Sequence, residues 1–179
     1  MSDPMARRRF LLLLCLAVAT DGWAAVPPFD TLRHDGVPLR RLGEGRMRWF
    51  GLTLYDATLW VTGVGWQWEE AFALDIRYAR NFAGEDLAAA SVGEIRRLGL
   101  ADGERLRRWG EWMAQAFPDV RKGDRITGVF RPGAGAEFFH NGRSTGHMPD
   151  PDFARGFFSI WLDPRTREPK LRTALLGPA

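Results

Sequence analysis

The chain is predicted to fold as one α+β domain, because its strand-like and helix-like segments come in separate runs. Three observations support this prediction. Aromatic and β-branched residues dominate 43–61, and apolar residues recur at helical spacing over 85–117. Two further strand-like segments, at 125–132 and 136–141, lead into the hairpin turn signal Asn141-Gly142. With 179 residues, the chain can bury a single core without disulfides or a structural metal.

The first half contains the strand-forming segments. Residues 43–61 predict either two consecutive strands or one long bent strand. Residues 72–80 predict another strand, in which apolar side chains alternate with small or polar ones, as on a half-buried antiparallel sheet. Its apolar face comprises Phe72, Leu74, Ile76 and Tyr78.

Helices are predicted in the middle and at the end of the chain. Residues 85–98 have the pattern of an amphipathic helix, and Asp102 is a suitable N-cap for a second helix that Pro118 ends. After a hairpin at Asn141-Gly142, Asp150 is suited to cap a third helix, because an N-cap aspartate accepts backbone hydrogen bonds. A short fourth helix is predicted over 170–177.

The N-terminal 25 residues predict export. Three arginines at 7–9 precede an apolar stretch over 10–19, which is too short for a membrane anchor and is followed by small residues at Ala24 and Ala25. We expect residues 1–25 to be a signal peptide and residues 26–179 to be the mature domain. That domain is expected to be periplasmic or otherwise exported, touching the membrane only through the signal peptide. An uncleaved anchor and a buried N-terminal helix are the alternatives.

Composition argues against several functional classes. The formal net charge is +3, and the arginines are interspersed with acids, so no nucleic-acid partner is predicted. His140 and His147 do not have zinc-ligand spacing, and the one cysteine, Cys15, lies in the predicted signal peptide, so no metal site is predicted. Neither a phosphate-binding glycine loop nor a Gly-x-Ser-x-Gly motif is present, and no cofactor is expected.

Arg80 is the first candidate for a binding residue. It continues the period-two face of the predicted strand at 72–80, and a guanidinium facing an apolar side needs an anion or other acceptors. It is a carboxylate anchor, half of an ion pair with an acid such as Asp86 or Glu94, or a side chain whose guanidinium reaches solvent at the rim. In the preceding segment, Arg48 lies on one strand face and Tyr55 on the other, so both faces offer candidates.

The chain resembles the chalcone isomerase-like family, in its bacterial exported branch rather than among the plant flavonoid enzymes. The resemblance covers about residues 29–177 and rests on four segments in the family's order. These are GEGRMRWFGLTLYDATLW, FPDVRKGDRITGVF, FFHNGRSTGHMPDPDFARGFFSIWLDPRT and LRTALLG. It implies an open-faced β-sandwich, with a layer of helices on one face of an antiparallel sheet and a ligand cleft between them.

The catalytic residues of the plant enzymes are not matched. Their steering arginine follows a Gly-Val pair, but Pro38 or Leu39 occupies that position here, and Arg40 is only adjacent. The family's threonine, tyrosine and asparagine fall near 50–51, 87 and 94. Without the cation that stabilises the developing charge, chalcone isomerase activity is not expected.

Other members of the family bind fatty acids through an arginine and a tyrosine. Tyr78 with Arg80, or Arg48 with Tyr55, are the substitutes that this sequence offers. The resemblance therefore implies a non-catalytic binding protein for a small apolar acid. An isomerase or intramolecular lyase with another catalytic set, and an envelope interaction protein, remain the alternatives, and the oligomeric state is left open.

Overall fold

The structure is a computed structural model that describes residues 33–34 and 37–177. The predicted signal peptide at 1–25 lies outside the described residues. The strands are β1 (Arg33–His34), β2 (Val37–Pro38), β3 (Arg40–Trp49), β4 (Leu52–Val61), β5 (Phe72–Tyr78), β6 (Arg125–Arg131), β7 (Gly135–His140) and β8 (Arg143–Met148). The helices are α1 (Gly84–Leu98), α2 (Gly103–Ala116), α3 (Pro151–Leu162) and α4 (Pro169–Leu176). The predicted α+β class is confirmed.

Six strands form one antiparallel sheet in the order β3-β4-β5-β6-β7-β8, and β1 pairs with β2 separately. Each strand of the large sheet pairs with the next in sequence, and only the β5–β6 connection contains helices, namely α1 and α2. Residues 43–61 form two strands, joined at Phe50-Gly51. The predicted hairpin at Asn141-Gly142 is confirmed, and both of its turn residues have positive φ, as a two-residue hairpin turn requires.

Helices α1 to α4 cover one face of the sheet, here called the helix face. The opposite face, here called the open face, carries no helix among the described residues. The first two helices pack together, α3 lies against β6 and β7, and α4 runs beside β3. The approach of α4 depends on Gly43, where an added Cβ would lie 2.2 Å from the carbonyl oxygen of Ala174. A side chain at this position would force helix and strand apart.

Asp150 joins two helices of this layer. Its carboxylate accepts backbone hydrogen bonds from Asp152 and Phe153 at the start of α3, and it also accepts the indole N–H of Trp109 in α2 at 2.9 Å. Trp109 is 2% exposed, and its buried indole N–H needs an acceptor. The cap predicted from sequence therefore also fixes α2 relative to α3.

A buried ion pair lies on the open face. Asp75 in β5 is 1% exposed, forms an ion pair with Arg125 and accepts a hydrogen bond from Thr127 Oγ1 at 2.8 Å. Burial raises the pKa of the Asp75 carboxyl above its ordinary value, because desolvation disfavours the charged form. The hydrogen bonds and positive charge of Arg125 lower the pKa of Asp75, and so does the hydrogen bond of Thr127.

Candidate ligand-binding site

A cavity of about 520 Å³ lies between the sheet and the helix layer. Its sheet side is formed by the end of β3, the start of β4, the end of β5 and the start of β6, which are neighbours at one end of the sheet. Its other walls come from α1, α3 and the segment between α3 and α4. Most of its lining is apolar and includes Met47, Trp49, Leu54, Ile76, Phe82, Leu87, Ala90, Phe117, Ile126, Phe157 and Ile160.

Two tyrosines line the sheet side of this cavity. Tyr55 and Tyr78 are paired across β4 and β5, and their ring centroids lie 6.2 Å apart. Both follow the period-two pattern of the apolar helix face, which is why their rings point away from the open face. The sheet register therefore places two hydroxyl-bearing side chains next to each other.

The hydroxyl of Tyr55 has a proton available for a ligand. Trp161 in α3 donates its indole N–H to Tyr55 Oη at 3.0 Å, so the hydroxyl is the acceptor in this bond. A phenol that accepts one hydrogen bond still carries its own donor. Burial raises the pKa of Tyr55 to about 12, and the donor proton is therefore retained at physiological pH.

Tyr78 is a second donor of the same kind. Its side chain is 7% exposed, and its hydroxyl makes no hydrogen bond to any residue that the structure describes. Burial raises the pKa of Tyr78 above its ordinary value, with a smaller contribution from the neighbouring Tyr55. This hydroxyl faces the cavity and is not itself sealed from solvent, so it is available to donate to a ligand that brings an oxygen acceptor.

Charged side chains lie on the helix side of the cavity. Asp86, Glu94, Arg167 and Glu168 are among the lining residues. Glu94 is engaged by Arg97 at 2.9 Å and by Arg167 at 3.3 Å, so it is held within the protein. Arg167 is the one cation among the residues that line this cavity, and 66% of its side chain is exposed.

The structure brings together two of the four residues predicted from sequence. Tyr55 and Tyr78 line the cavity, whereas Arg48 lines a separate, polar depression of about 450 Å³ on the open face. Arg48 and Tyr55 therefore lie on opposite sides of the sheet, as their strand periodicity predicts, and a small molecule in the cavity would not contact Arg48. Arg48 and Tyr55 therefore do not form the combined arginine and tyrosine anchor that the sequence suggested.

Arg80 is the second correction. The expectation that it faces the apolar side is wrong, because β5 ends at Tyr78 and the chain leaves the sheet, so that Arg80 is exposed. It lines neither the cavity nor the polar depression. Within the described part of the chain, no acid lies at ion-pair distance from it, so the predicted pairing with Asp86 or Glu94 is also absent.

Sequence reasoning missed two residues of the cavity. Trp161 belongs to the apolar stripe predicted for α3, but nothing in that stripe indicates that its indole N–H would meet a tyrosine from β4. Arg167 lies between α3 and α4, where no periodicity assigns a direction to a side chain. Only the packing of these elements places both residues at the cavity.

Only some of the positions that correspond to the plant catalytic residues line the cavity. Leu87 and Glu94 line the cavity, at the places of the family's tyrosine and asparagine. Phe50 and Gly51 form the exposed β3–β4 turn and are not among its lining residues. Arg40 donates to the carbonyl oxygen of Gly63 at 2.7 Å, at the other end of the sheet.

Neither a membrane-spanning helix nor a metal-binding cluster occurs among the described residues. In 37–177, no helix combines the length and hydrophobicity needed to cross a bilayer. No group of three or more histidine, cysteine, aspartate or glutamate side chains is arranged to hold a metal ion in the described part of the chain. His140 lies 3.5 Å from Asp124, and His147 lies 3.1 Å from the carbonyl oxygen of Ala134.

An open antiparallel sheet with one helix layer, and an apolar cavity between them, define the class of this protein. The chain belongs to the chalcone isomerase-like family, whose sequence profile matches residues 66–177. An uncharacterized protein of Haemophilus influenzae is 29% identical over 137 residues, which are 76% of this chain and 67% of the relative. The crystal structure of a fatty-acid binding protein of Arabidopsis thaliana has the same fold, with a TM-score of 0.58 and 11% identity over 77% of this chain and 86% of that one.

Proposed function

We propose that this protein binds a small, mainly apolar molecule that carries a carboxyl or carbonyl oxygen, with a fatty acid as the best fit. The observation that carries the proposal is the pair of tyrosine hydroxyls in the otherwise apolar sheet wall of the cavity. Tyr55 keeps its proton after accepting from Trp161, and Tyr78 has no partner among the described residues. Two adjacent neutral donors suit one oxygen-bearing head group.

The size and chemistry of the cavity support this proposal. Small-molecule sites measure roughly 300–1,000 Å³ and combine apolar walls with a few converging polar groups. The cavity, at about 520 Å³, lies within that range. The fold is shared with a protein named for fatty-acid binding, which supports the same class of ligand.

The charges on the helix side favour a particular form of the head group. Asp86 and Glu168 line the cavity, and Glu94 is already paired with Arg167. Neighbouring carboxylates disfavour a further negative charge, so a protonated carboxyl or a carbonyl is the preferred partner of the tyrosines. Lowering the pH toward the pKa of a free fatty acid should therefore strengthen binding.

Replacing Tyr78 by phenylalanine tests the site. The Tyr78→Phe substitution removes one hydroxyl and keeps the ring, so the affinity for a long-chain fatty acid should fall about tenfold, as expected for a lost hydrogen bond of about 1.5 kcal/mol. Isothermal titration with delipidated protein measures the change. Arg80→Gln is the control, because Arg80 lines no part of the cavity, and it should leave the affinity unchanged. Equal affinities of Tyr78→Phe and the unaltered protein would refute the proposed head-group site.

The proposed function also includes export of the protein from the cytoplasm. The basic segment at 7–9, the apolar stretch at 10–19 and the small residues at Ala24 and Ala25 support secretion. Protein from the periplasmic fraction of an expressing bacterium should have the mass of a chain that begins at about residue 25 or 26. A full-length mass in the cytoplasmic fraction would contradict export. The same mass spectrum, taken under native conditions, would detect a co-purified fatty acid.

A further inference from the structure

The β3–β4 turn exposes a cluster of large apolar side chains. Trp49 is 60% exposed, Phe50 is 86% exposed and Leu52 is 50% exposed. Phe50 contacts the ring of Trp49, with centroids 4.8 Å apart. We call these three residues the apolar tip, and nothing in the described part of the chain covers them.

Phe50 is unfavourable for the turn that it forms. It has a φ of 46°, in the left-handed region, where a bulky side chain is strained and where asparagine or glycine is the usual residue. Gly51, at φ 79°, occupies the second turn position without strain. An aromatic side chain that strains its turn and stays in solvent contributes little to folding, so a role at the surface explains it better.

Basic side chains lie at the same end of the sheet as the apolar tip. At this end β3, β5 and β7 end, and β4, β6 and β8 begin. Five exposed cations lie at these strand ends or in the loops next to them, and no acid of the described residues is within ion-pair distance of any of them. They are Arg48, Arg80, Arg121, Lys122 and Arg143.

The two carboxylates on the loops of this end are already engaged. Asp119 accepts the backbone N–H of Gly84 at 2.9 Å, and Asp124 accepts from Asn141 at 3.0 Å and lies near His140. At the opposite end, the β4–β5 segment 62–71 contains Glu69 and Glu70 and no basic residue. Arg40, Arg41 and Arg131 also lie at that opposite end, but Arg41 and Arg131 are paired with Glu44 and Glu137. The end with the apolar tip therefore carries more unpaired cations than the opposite end, among the described residues.

The cavity lies at this same end. Trp49 belongs both to the apolar tip and to the cavity wall, together with Met47 and Leu54 from the same hairpin. An apolar ligand that leaves the cavity beside β3 would thus meet the apolar tip first. The acids Asp86 and Glu168 lie on the helix side of the cavity, in the first turn of α1 and just before α4.

We propose that this end of the sheet docks on an anionic phospholipid surface, with the apolar tip inserted among the lipids. Aromatic side chains are favoured at the boundary between headgroups and acyl chains, and basic residues are attracted to the negative surface. Docking would place the cavity against the bilayer, from which an apolar ligand is exchanged. This inference extends the proposed function by naming the source of the ligand, and it adds a membrane contact beyond the signal peptide.

Vesicle binding without added ligand tests the inference. The probe is a vesicle of phosphatidylcholine with about one-third phosphatidylglycerol, compared with pure phosphatidylcholine, and the readout is co-sedimentation of the mature protein. We expect binding to the anionic vesicles alone, weakened at high salt because the Debye length shortens. The double substitution Phe50→Asn with Leu52→Thr should lower vesicle affinity about tenfold or more, because it removes two large apolar side chains from the lipid contact.

The thermal stability of the variant and a control substitution distinguish loss of lipid contact from unfolding. Phe50→Asn relieves turn strain, so the variant should melt at the same or a higher temperature than the unaltered protein, and weaker binding cannot be due to unfolding. Val64→Thr is the matched control, because Val64 is 94% exposed but lies beyond the far end of β4, about 33 Å away by strand length. Its affinity should not change.

Three outcomes would overturn the inference. The first is that the protein does not bind anionic vesicles. The second is that the Phe50→Asn, Leu52→Thr variant binds them as tightly as the unaltered protein. The third is that Val64→Thr lowers vesicle affinity as much as the double substitution does. Failure to bind vesicles while an acidic protein binds the same end would assign this surface to a protein partner instead. Fatty-acid affinity in solution, measured with the same preparations, reports separately on the proposed function, since Phe50 and Leu52 do not line the cavity.

Discussion

The Arg125→Met substitution should lower the free energy of unfolding by about 3 kcal/mol near neutral pH. Methionine keeps the apolar stem but removes the guanidinium, which leaves Asp75 buried and charged with Thr127 as its remaining side-chain partner. The cost is large because Asp75 is 1% exposed and cannot regain water in the folded state. Urea denaturation followed by tryptophan fluorescence measures the loss.

The pH dependence of this variant identifies the cause. Without Arg125, burial should raise the pKa of Asp75 further above the value of 3.8 expected for an unfolded aspartate. The folded state then binds the proton more tightly than the unfolded state, so stability rises as the pH falls from the folded pKa toward 3.8. The penalty should be complete above the folded pKa and largely absent below the unfolded one.

A second substitution provides the control. Adding Asp75→Asn to Arg125→Met removes the buried charge, so the double variant should be more stable than Arg125→Met alone at neutral pH. Asp75→Asn alone should cost less than Arg125→Met, because 27% of the Arg125 side chain is exposed and can be hydrated. If the double variant is no more stable than Arg125→Met, uncompensated charge is not the source of the destabilisation.

The Ala90→Phe substitution should produce the largest loss of ligand binding. Ala90 is an exposed residue of α1 that lines the cavity, and a phenylalanine ring there would fill space next to the sheet. If the ring displaces about three methylene groups of the ligand, at ~0.8 kcal/mol each, the affinity falls about fiftyfold. Titration with a long-chain fatty acid measures the change.

Ala89→Phe is the matched control for this prediction. Ala89 precedes Ala90 in the same helix and is equally exposed, but it does not line the cavity. The two variants lose the same helix propensity, so any difference in affinity reflects the cavity alone. If Ala90→Phe binds as tightly as Ala89→Phe, the fatty acid is held elsewhere.

The proposed ligand site and the proposed membrane contact use different residues at the same end of the sheet. Tyr55 and Tyr78 would hold a head group inside, whereas Phe50 and Leu52 would contact lipid outside. Trp49 is shared by both and is therefore unsuited to separating them. Substitutions at Tyr78 and at Phe50 should affect ligand affinity and vesicle affinity independently.

Sequence patterns predicted the elements of this fold where local chemistry decides them. The caps Asp102 and Asp150 and the Asn141-Gly142 turn act over a few residues, and each occurs in the structure as predicted. Period two likewise placed Tyr55 on the strand face opposite Arg48, because alternation is a property of the strand itself. Periodicity failed at Arg80 because the pattern does not show that the strand ends at Tyr78.

The sequence by itself determined the α+β class and the order of the elements, since both follow from short-range patterns. Only the tertiary structure decided that Trp161 meets Tyr55 and that Arg167 reaches Glu94. It also decided that exposed cations from separate segments lie at the same end of the sheet as the apolar tip. Those arrangements depend on the packing of helices on the sheet and on strand order, which bring together residues that no local pattern relates.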